Sequence, residues 1–123
     1  MDVRISDAEL DVMEALWAAG QPLTAAEVAE RIDPGRGWTL ATVKTMLSRL
    51  AAKGALKHRE DGRRFLYVPA IKREAYVGHE SRRFVDKLFG GRLSPLVARL
   101  AEEDGLDQDD IAAIEALLKE LKS

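Results

Sequence analysis

The side chains best suited to binding chemistry lie in one stretch, WTLATVKTMLSRLAAKGAL, which covers residues 38–56. It contains three threonines, one serine, one arginine and two lysines among aliphatic residues. Hydroxyl groups can hydrogen-bond the edges of DNA bases, and Lys and Arg side chains bind phosphates. Recognition of a polyanion is therefore the chemistry that these residue types indicate.

Charge is distributed unevenly along the chain. The protein has 123 residues and a formal net charge of -2, but residues 36–73 alone carry +8 and the remainder carries -10. A segregation this strong favours a polyanionic partner for the middle of the chain. A solvated basic face would have the same composition, so the decision depends on the predicted architecture.

Composition excludes several classes of protein. The chain has no cysteine, which excludes disulfides, zinc fingers and thiol catalysis. No apolar run approaches the roughly 18 residues of a membrane span, and the N-terminus lacks the pattern of a signal peptide, so we expect a cytoplasmic protein. The two histidines, His58 and His79, have no further ligands at metal-binding or catalytic spacing. We expect no enzyme activity, no metal and no cofactor.

Three helices are predicted in the first part of the chain. Ser6 with Glu9, and Thr24 with Glu27, match the capping box, in which the first and fourth residues satisfy each other's backbone N–H groups. A third helix is predicted over residues 39–53. Its apolar side chains recur at helical spacing and predict a buried stripe. The residues of that stripe are Leu40, Val43, Leu47, Leu50 and Ala51.

A hairpin is predicted after the third helix, because the apolar period changes there from about 3.6 to about 2. It covers residues 56–68, and Asp61-Gly62 in its middle is a two-residue turn signal. The segment PLT at 22–24 is predicted to add a third small strand. The hairpin residues predicted to point inward are Leu56, Phe65 and Tyr67.

Three helices followed by a basic hairpin predict a winged helix-turn-helix domain. In such domains the third helix enters the major groove of DNA and the hairpin, or wing, lies along the backbone. Thr42 and Thr45 are predicted to reach base edges, while Trp38 is predicted to pack in the core. The residues predicted to bind DNA are Thr39, Thr42, Lys44, Thr45, Ser48, Arg49, Lys53, Arg63 and Arg64.

The last fifty residues predict three further helices rich in apolar side chains. Because no strand or second core is available to cover that surface, a two-fold dimer is expected to bury it. Folding of these helices back onto the winged domain is the alternative. The fold class is thus mainly α with a small β-hairpin, a winged helix-turn-helix over 1–72 and a helical dimerisation region over 73–123. The residues predicted for dimerisation are Phe84, Leu88, Phe89, Leu96, Leu100, Ile111, Ile114 and Leu118.

Four segments, ISDAELDVMEALW, PLTAAEVAERI, WTLATVKTMLSRLAAKGAL and REDGRRFLYVPAIKREAY, resemble the penicillinase-repressor family. That family includes the β-lactamase and methicillin-resistance repressors and a copper-responsive branch. The similarity extends from Ile5 to about Gly91, and its most specific part is TVKTMLSRLAAKGAL. The resemblance implies a homodimeric repressor that binds a palindromic operator in double-stranded DNA.

Two departures from the family pattern concern regulation. The copper branch binds metal through cysteines near its C-terminus, and this chain has none. The antibiotic-responsive members are inactivated by proteolysis at an Asn-Phe bond, whereas the comparable segment here is GGRLS, residues 90–94. A regulatory protease would therefore need a different cleavage preference.

One alternative function remains open from the residues alone. A winged helix can also serve as a protein–protein adaptor without DNA binding, in which case the +8 segment would dock an acidic partner. Retention of no genomic fragment at low salt would favour the adaptor.

Overall fold

The computed structural model describes residues 3–123, which fold as two compact units. The first unit ends at Val77 and the second covers Gly78–Ser123. None of the helices in the described range is long and apolar enough to cross a membrane. In chain order the elements are α1 (Asp7–Ala19), α2 (Ala25–Arg31), a 3-10 turn (Pro34–Arg36), α3 (Leu40–Ala52), β1 (Leu56–Asp61), β2 (Arg64–Pro69), α4 (Arg73–Phe89), α5 (Leu93–Glu102) and α6 (Gln108–Lys122).

The predicted capping boxes begin α1 and α2. The backbone N–H of Glu9 donates to Ser6 Oγ at 3.1 Å, and the N–H of Ser6 donates to Glu9 Oε1 at 2.9 Å. Thr24 and Glu27 exchange the same two bonds at 3.2 and 2.9 Å. Each box satisfies N–H groups that a helix start leaves without a backbone acceptor, which is why both helices begin where the local sequence predicts.

The core of the first unit lies between the first three helices and the hairpin. Val43, Leu47 and Leu50 of α3 are at most 1% exposed and pack against α1 and α2. The prediction that Leu40 belongs to the same buried stripe is wrong, because its side chain is 43% exposed. Leu40 is the first residue of α3 and lies on the flank that faces the hairpin, beyond the edge of the core.

The hairpin pairs Leu56 with Pro69 and Asp61 with Arg64, so its two-residue turn is Gly62-Arg63 and not Asp61-Gly62. Gly62 has a φ of +67°, which a hairpin turn requires at its first central residue and glycine adopts without strain. The turn lies one residue later than predicted because strand pairing continues through Asp61.

Two of the three predicted inward residues of the hairpin are buried. Leu56 is 3% exposed and Tyr67 is 9% exposed, but Phe65 is 42% exposed, so that prediction is wrong. Phe65 shares a face with Tyr67 but lies nearer the turn. Its ring packs edge-on against the ring of His58, with 5.1 Å between the two ring centres. The predicted third strand is a single bridge between Leu23 and Tyr67.

The second unit contains the rest of α4 and helices α5 and α6. Asp107 caps α6 and forms a third capping box with Asp110. The pair Ser94-Pro95 is typical of an N-cap followed by the first helical residue, but α5 begins earlier, at Leu93, after Arg92. Pro95 is the third residue of the helix, a position whose backbone N–H has no intrahelical acceptor, so a proline is tolerated there.

Candidate nucleic-acid interface

The surface of α3 opposite the core has small side chains in the middle and cations on both flanks. Successive residues of a helix are about 100° apart, so the face opposite Val43, Leu47 and Leu50 can be assigned directly. Lys44 borders it on the side of the hairpin and Arg49 on the other side. The residues of this outward face are Ala41, Thr45, Ser48 and Ala52, all exposed.

The hydroxyl groups of Thr39, Thr42 and Thr45 have local partners at the start of α3. Thr39 is the N-cap, and its Oγ1 accepts from the backbone N–H of Thr42 at 3.2 Å and lies 3.1 Å from the Thr42 hydroxyl. Thr45 donates its hydroxyl proton to the Ala41 carbonyl at 3.0 Å. Thr45 therefore presents oxygen lone pairs and a methyl group to the outside, which suits acceptance of a base amino group or contact with a thymine methyl.

Three of the cations predicted to bind DNA have no acidic partner in the part of the chain that the structure describes. Within residues 3–123 no carboxylate lies within 4.0 Å of the charged groups of Lys44, Arg49 or Arg63. Arg64 contacts Asp61 at 3.1 Å, but both side chains are well exposed. Exposed pairs of this kind contribute little stability, so Arg64 can exchange Asp61 for another anion at small cost.

A groove of about 540 Å³ lies between the start of α2, the hairpin side of α3 and the hairpin turn. It brings together four of the nine predicted DNA-binding residues: Lys44, Ser48, Arg63 and Arg64. The two exposed apolar residues that the predictions placed in the core, Leu40 and Phe65, line the same groove. Periodicity predicted that both are buried and contained no signal that they line a basic groove.

Lys53 has a different environment from the other predicted cations. Its ammonium contacts Glu9 Oε1 at 2.5 Å and the Arg4 carbonyl at 2.8 Å, both at the start of α1. Glu9 is only 4% exposed. Burial opposes ionisation of Glu9, but hydrogen bonds from Lys53 and Ser6 outweigh it and lower the pKa of the carboxyl. The structure thus assigns Lys53 an intramolecular partner that sequence reasoning missed.

The loop before α3 is braced by contacts that local spacing does not reveal. The Arg36 guanidinium lies over the Trp38 ring, 5.0 Å from its centre, and pairs with Asp11 of α1 at 2.7 Å. Trp38 is half-buried and packs against the core, in agreement with its predicted role. These contacts connect the loop that precedes α3 with α1.

The residues predicted for dimerisation divide into two groups by exposure. Phe84, Leu88, Leu100, Ile111 and Leu118 are between 37% and 58% exposed. The half-buried members are Phe89, Leu96 and Ile114. Further large apolar side chains are exposed in the same unit: Leu93, Leu117 and Leu121.

Comparison with known proteins gives consistent matches along the chain. A sequence model of the penicillinase repressor family matches residues 5–120. The penicillinase repressor of Bacillus licheniformis is 35% identical over 120 residues, which are 98% of this chain and 93% of that protein. The methicillin resistance regulatory protein MecI of Mammaliicoccus sciuri is 29% identical, over 93% of this chain and 92% of its own.

A solved structure matches a shorter part of the chain. It is the solution structure of Bacillus licheniformis BlaI in monomeric form, in complex with the blaP half-operator. It is 39% identical to this chain with a TM-score of 0.51, and the match covers 61% of this chain and 92% of that one.

Proposed function

The chain belongs to the penicillinase repressor family, and from that premise we propose that it is a DNA-binding transcriptional repressor. In this proposal α3 enters the major groove and the hairpin lies along the sugar–phosphate backbone. A relative that is 39% identical has been solved in complex with a half-operator, which supports DNA as the polyanionic partner.

The observation that carries the proposal is the outward face of α3. Small side chains along Ala41, Thr45 and Ser48 allow the helix backbone to approach base edges closely. Lys44 and Arg49, on its two flanks and without acidic partners in the described chain, are placed to bind phosphates on the two strands that border a groove. Arg63 and Arg64 would extend this contact to the backbone beyond the groove.

We further propose that the repressor is a homodimer on a palindromic operator. The second unit exposes many large apolar side chains, among them Leu88 at 58% and Leu118 at 49%. Apolar surface of this kind is normally covered by a partner. A two-fold dimer would place two copies of α3 about one turn of DNA apart, roughly 34 Å.

The division into a DNA-binding domain, 1–72, and a dimerisation region, 73–123, is part of the proposal. The first compact unit ends at Val77, inside α4, so a single helix would connect DNA binding with dimerisation. A regulatory protease would act between α4 and α5. Residues 90–94 are all exposed, which supports that location.

Selection of bound sequences from a random double-stranded DNA pool tests the function. We expect enrichment of a palindrome whose half-sites are about one helical turn apart. The double variant Lys44→Ala/Arg49→Ala is the matched control and should enrich nothing under the same conditions. If the native protein retains no sequence even at low salt, the proposal is wrong and the adaptor function is favoured.

A further inference from the structure

The ion pair between Lys53 and Glu9 has a role that phosphate binding does not explain. Lys53 directly follows α3, and its backbone N–H donates to the carbonyls of Arg49 and Ala51. Its ammonium contacts the Glu9 carboxylate and the Arg4 carbonyl. The side chain thus connects the C-terminal end of α3 with the start of α1, 44 residues earlier in the chain.

Glu9 is held firmly at its end of this connection. Its Oε1 also accepts the backbone N–H of Ser6 at 2.9 Å, so the capping box fixes the carboxylate that Lys53 contacts. The carboxylate side chain is 5% exposed, whereas that of Lys53 is 37% exposed. Withdrawal of Lys53 would leave a buried carboxylate without its cation, which is strongly unfavourable.

We propose that Glu9 is a positioning residue for DNA recognition: through Lys53 it holds the C-terminal end of α3 in place, and Lys53 is not a phosphate contact. This inference depends on the proposed DNA binding. Arg49 lies one turn before Lys53 on the same flank of α3, so a shift of this helix end would misalign the hydrogen bond from Arg49 to its phosphate. The guanidinium charge would stay beside the DNA, so binding weakens while the number of neutralised phosphates is unchanged.

Glu27 is the matched control within the same chain. It occupies the same capping-box position in α2 that Glu9 occupies in α1, with the same two hydrogen bonds to its N-cap. No lysine within residues 3–123 pairs with Glu27. Glutamine can replace glutamate in a capping box, so Glu9→Gln and Glu27→Gln remove one charge each and keep both caps.

The test measures the dissociation constant for a labelled duplex carrying the sequence that the native protein enriches from the random pool. Binding is measured over a series of salt concentrations, with active concentrations normalised by stoichiometric titration. Glu9→Gln, Lys53→Met and their combination should each weaken binding, on the order of tenfold and not additively. Glu27→Gln should not weaken it.

The slope of log affinity against log salt separates positioning from phosphate contact. Lys53→Met should leave the slope unchanged, whereas Arg49→Met should make it shallower by about 0.9, the value for one lost phosphate contact. Removal of a negative charge by Glu9→Gln would by itself strengthen DNA binding. Weaker binding by that variant therefore cannot arise from net charge.

Three outcomes would overturn the inference. A shallower salt slope for Lys53→Met would make Lys53 a phosphate contact. Native affinity per folded molecule in Glu9→Gln, with only a lower melting temperature, would make the pair purely structural. Equal weakening by Glu27→Gln would assign the effect to helix capping. Failure of the proposed DNA binding is distinguishable, because the native protein itself would then retain no duplex.

Discussion

Leu23 and Tyr67 exchange two backbone hydrogen bonds, with N···O distances of 3.1 and 2.8 Å. This single bridge connects the loop before α2 to the second strand of the hairpin. Tyr67 is also 9% exposed and belongs to the core of the first unit. The hairpin is thereby attached to the helices at its base, while Arg63 and Arg64 at its turn remain exposed beside α3.

Tyr67→Ala should destabilise the first unit much more than Phe65→Ala. The two aromatic residues share one face of β2, but Tyr67 is buried and Phe65 is 42% exposed. We expect losses in the free energy of unfolding of about 3 kcal/mol for Tyr67→Ala and about 1 kcal/mol for Phe65→Ala. Urea unfolding followed by the fluorescence of Trp17 and Trp38, both in the first unit, measures the difference. Equal losses would contradict the proposed anchoring.

Arg49→Ala should weaken binding to the selected duplex by about tenfold and make its salt dependence shallower by about 0.9. The physical reason is the loss of one phosphate contact with its released counterion. Arg99→Ala in α5 is the control, because Arg99 contacts Glu102 and Glu103 and lies outside the proposed interface. Fluorescence anisotropy over a salt series measures both quantities. An unchanged slope for Arg49→Ala would remove Arg49 from the interface.

Thr45→Val should change sequence preference more than total affinity. Valine keeps the methyl group and shape of threonine but removes the oxygen, whose proton is donated to the Ala41 carbonyl. We expect a loss of about 1 kcal/mol in discrimination at one base pair of each half-site, with binding to random duplex unchanged. Repeating the selection with the variant measures the change in base preference at each position of the half-site. Uniform weakening at every position would indicate that Thr45 does not read a base.

Leu88→Glu and Leu118→Glu should each convert the protein from dimer to monomer. Both leucines are exposed in the second unit, and a charge at either position would be desolvated without a partner in an apolar interface. Lys119→Glu is the control, since it changes the charge of α6 without removing apolar surface. Sedimentation velocity measures the association state. A dimer that persists in both leucine variants would place the interface elsewhere, whereas a native protein that is itself a monomer would favour folding of these helices onto the winged domain.

The stability contributed by Glu9 should depend on pH. Its folded-state pKa lies below the ordinary value of 4.5, so the contribution is present above that value and is lost as the pH falls through the folded pKa. Glu9→Gln should therefore lower the urea midpoint at about pH 7 and lower it by less at about pH 3, below the ordinary pKa of 4.5. Glu27→Gln should have a smaller effect at both, because Glu27 is exposed and its pKa is lowered mainly by Thr24. A difference independent of pH would contradict the ion-pair account.

Local sequence determined where α1, α2 and α6 begin. Capping boxes at Ser6, Thr24 and Asp107 involve groups three residues apart, so their hydrogen bonds can be read from spacing alone. The order of helices and hairpin, the small outward residues of α3 and the family resemblance were likewise available from the sequence. Each of these features depends on neighbouring residues or on the pattern as a whole.

Tertiary structure alone decided which of the polar and apolar residues are available to a partner. Lys53 matched the other cations in type and spacing, yet a carboxylate 44 residues away binds it. Leu40 and Phe65 follow the apolar period but lie past the edge of the core, where they line a basic groove. Periodicity defines the face on which a residue lies, whereas burial and pairing depend on how far the neighbouring elements extend over that face.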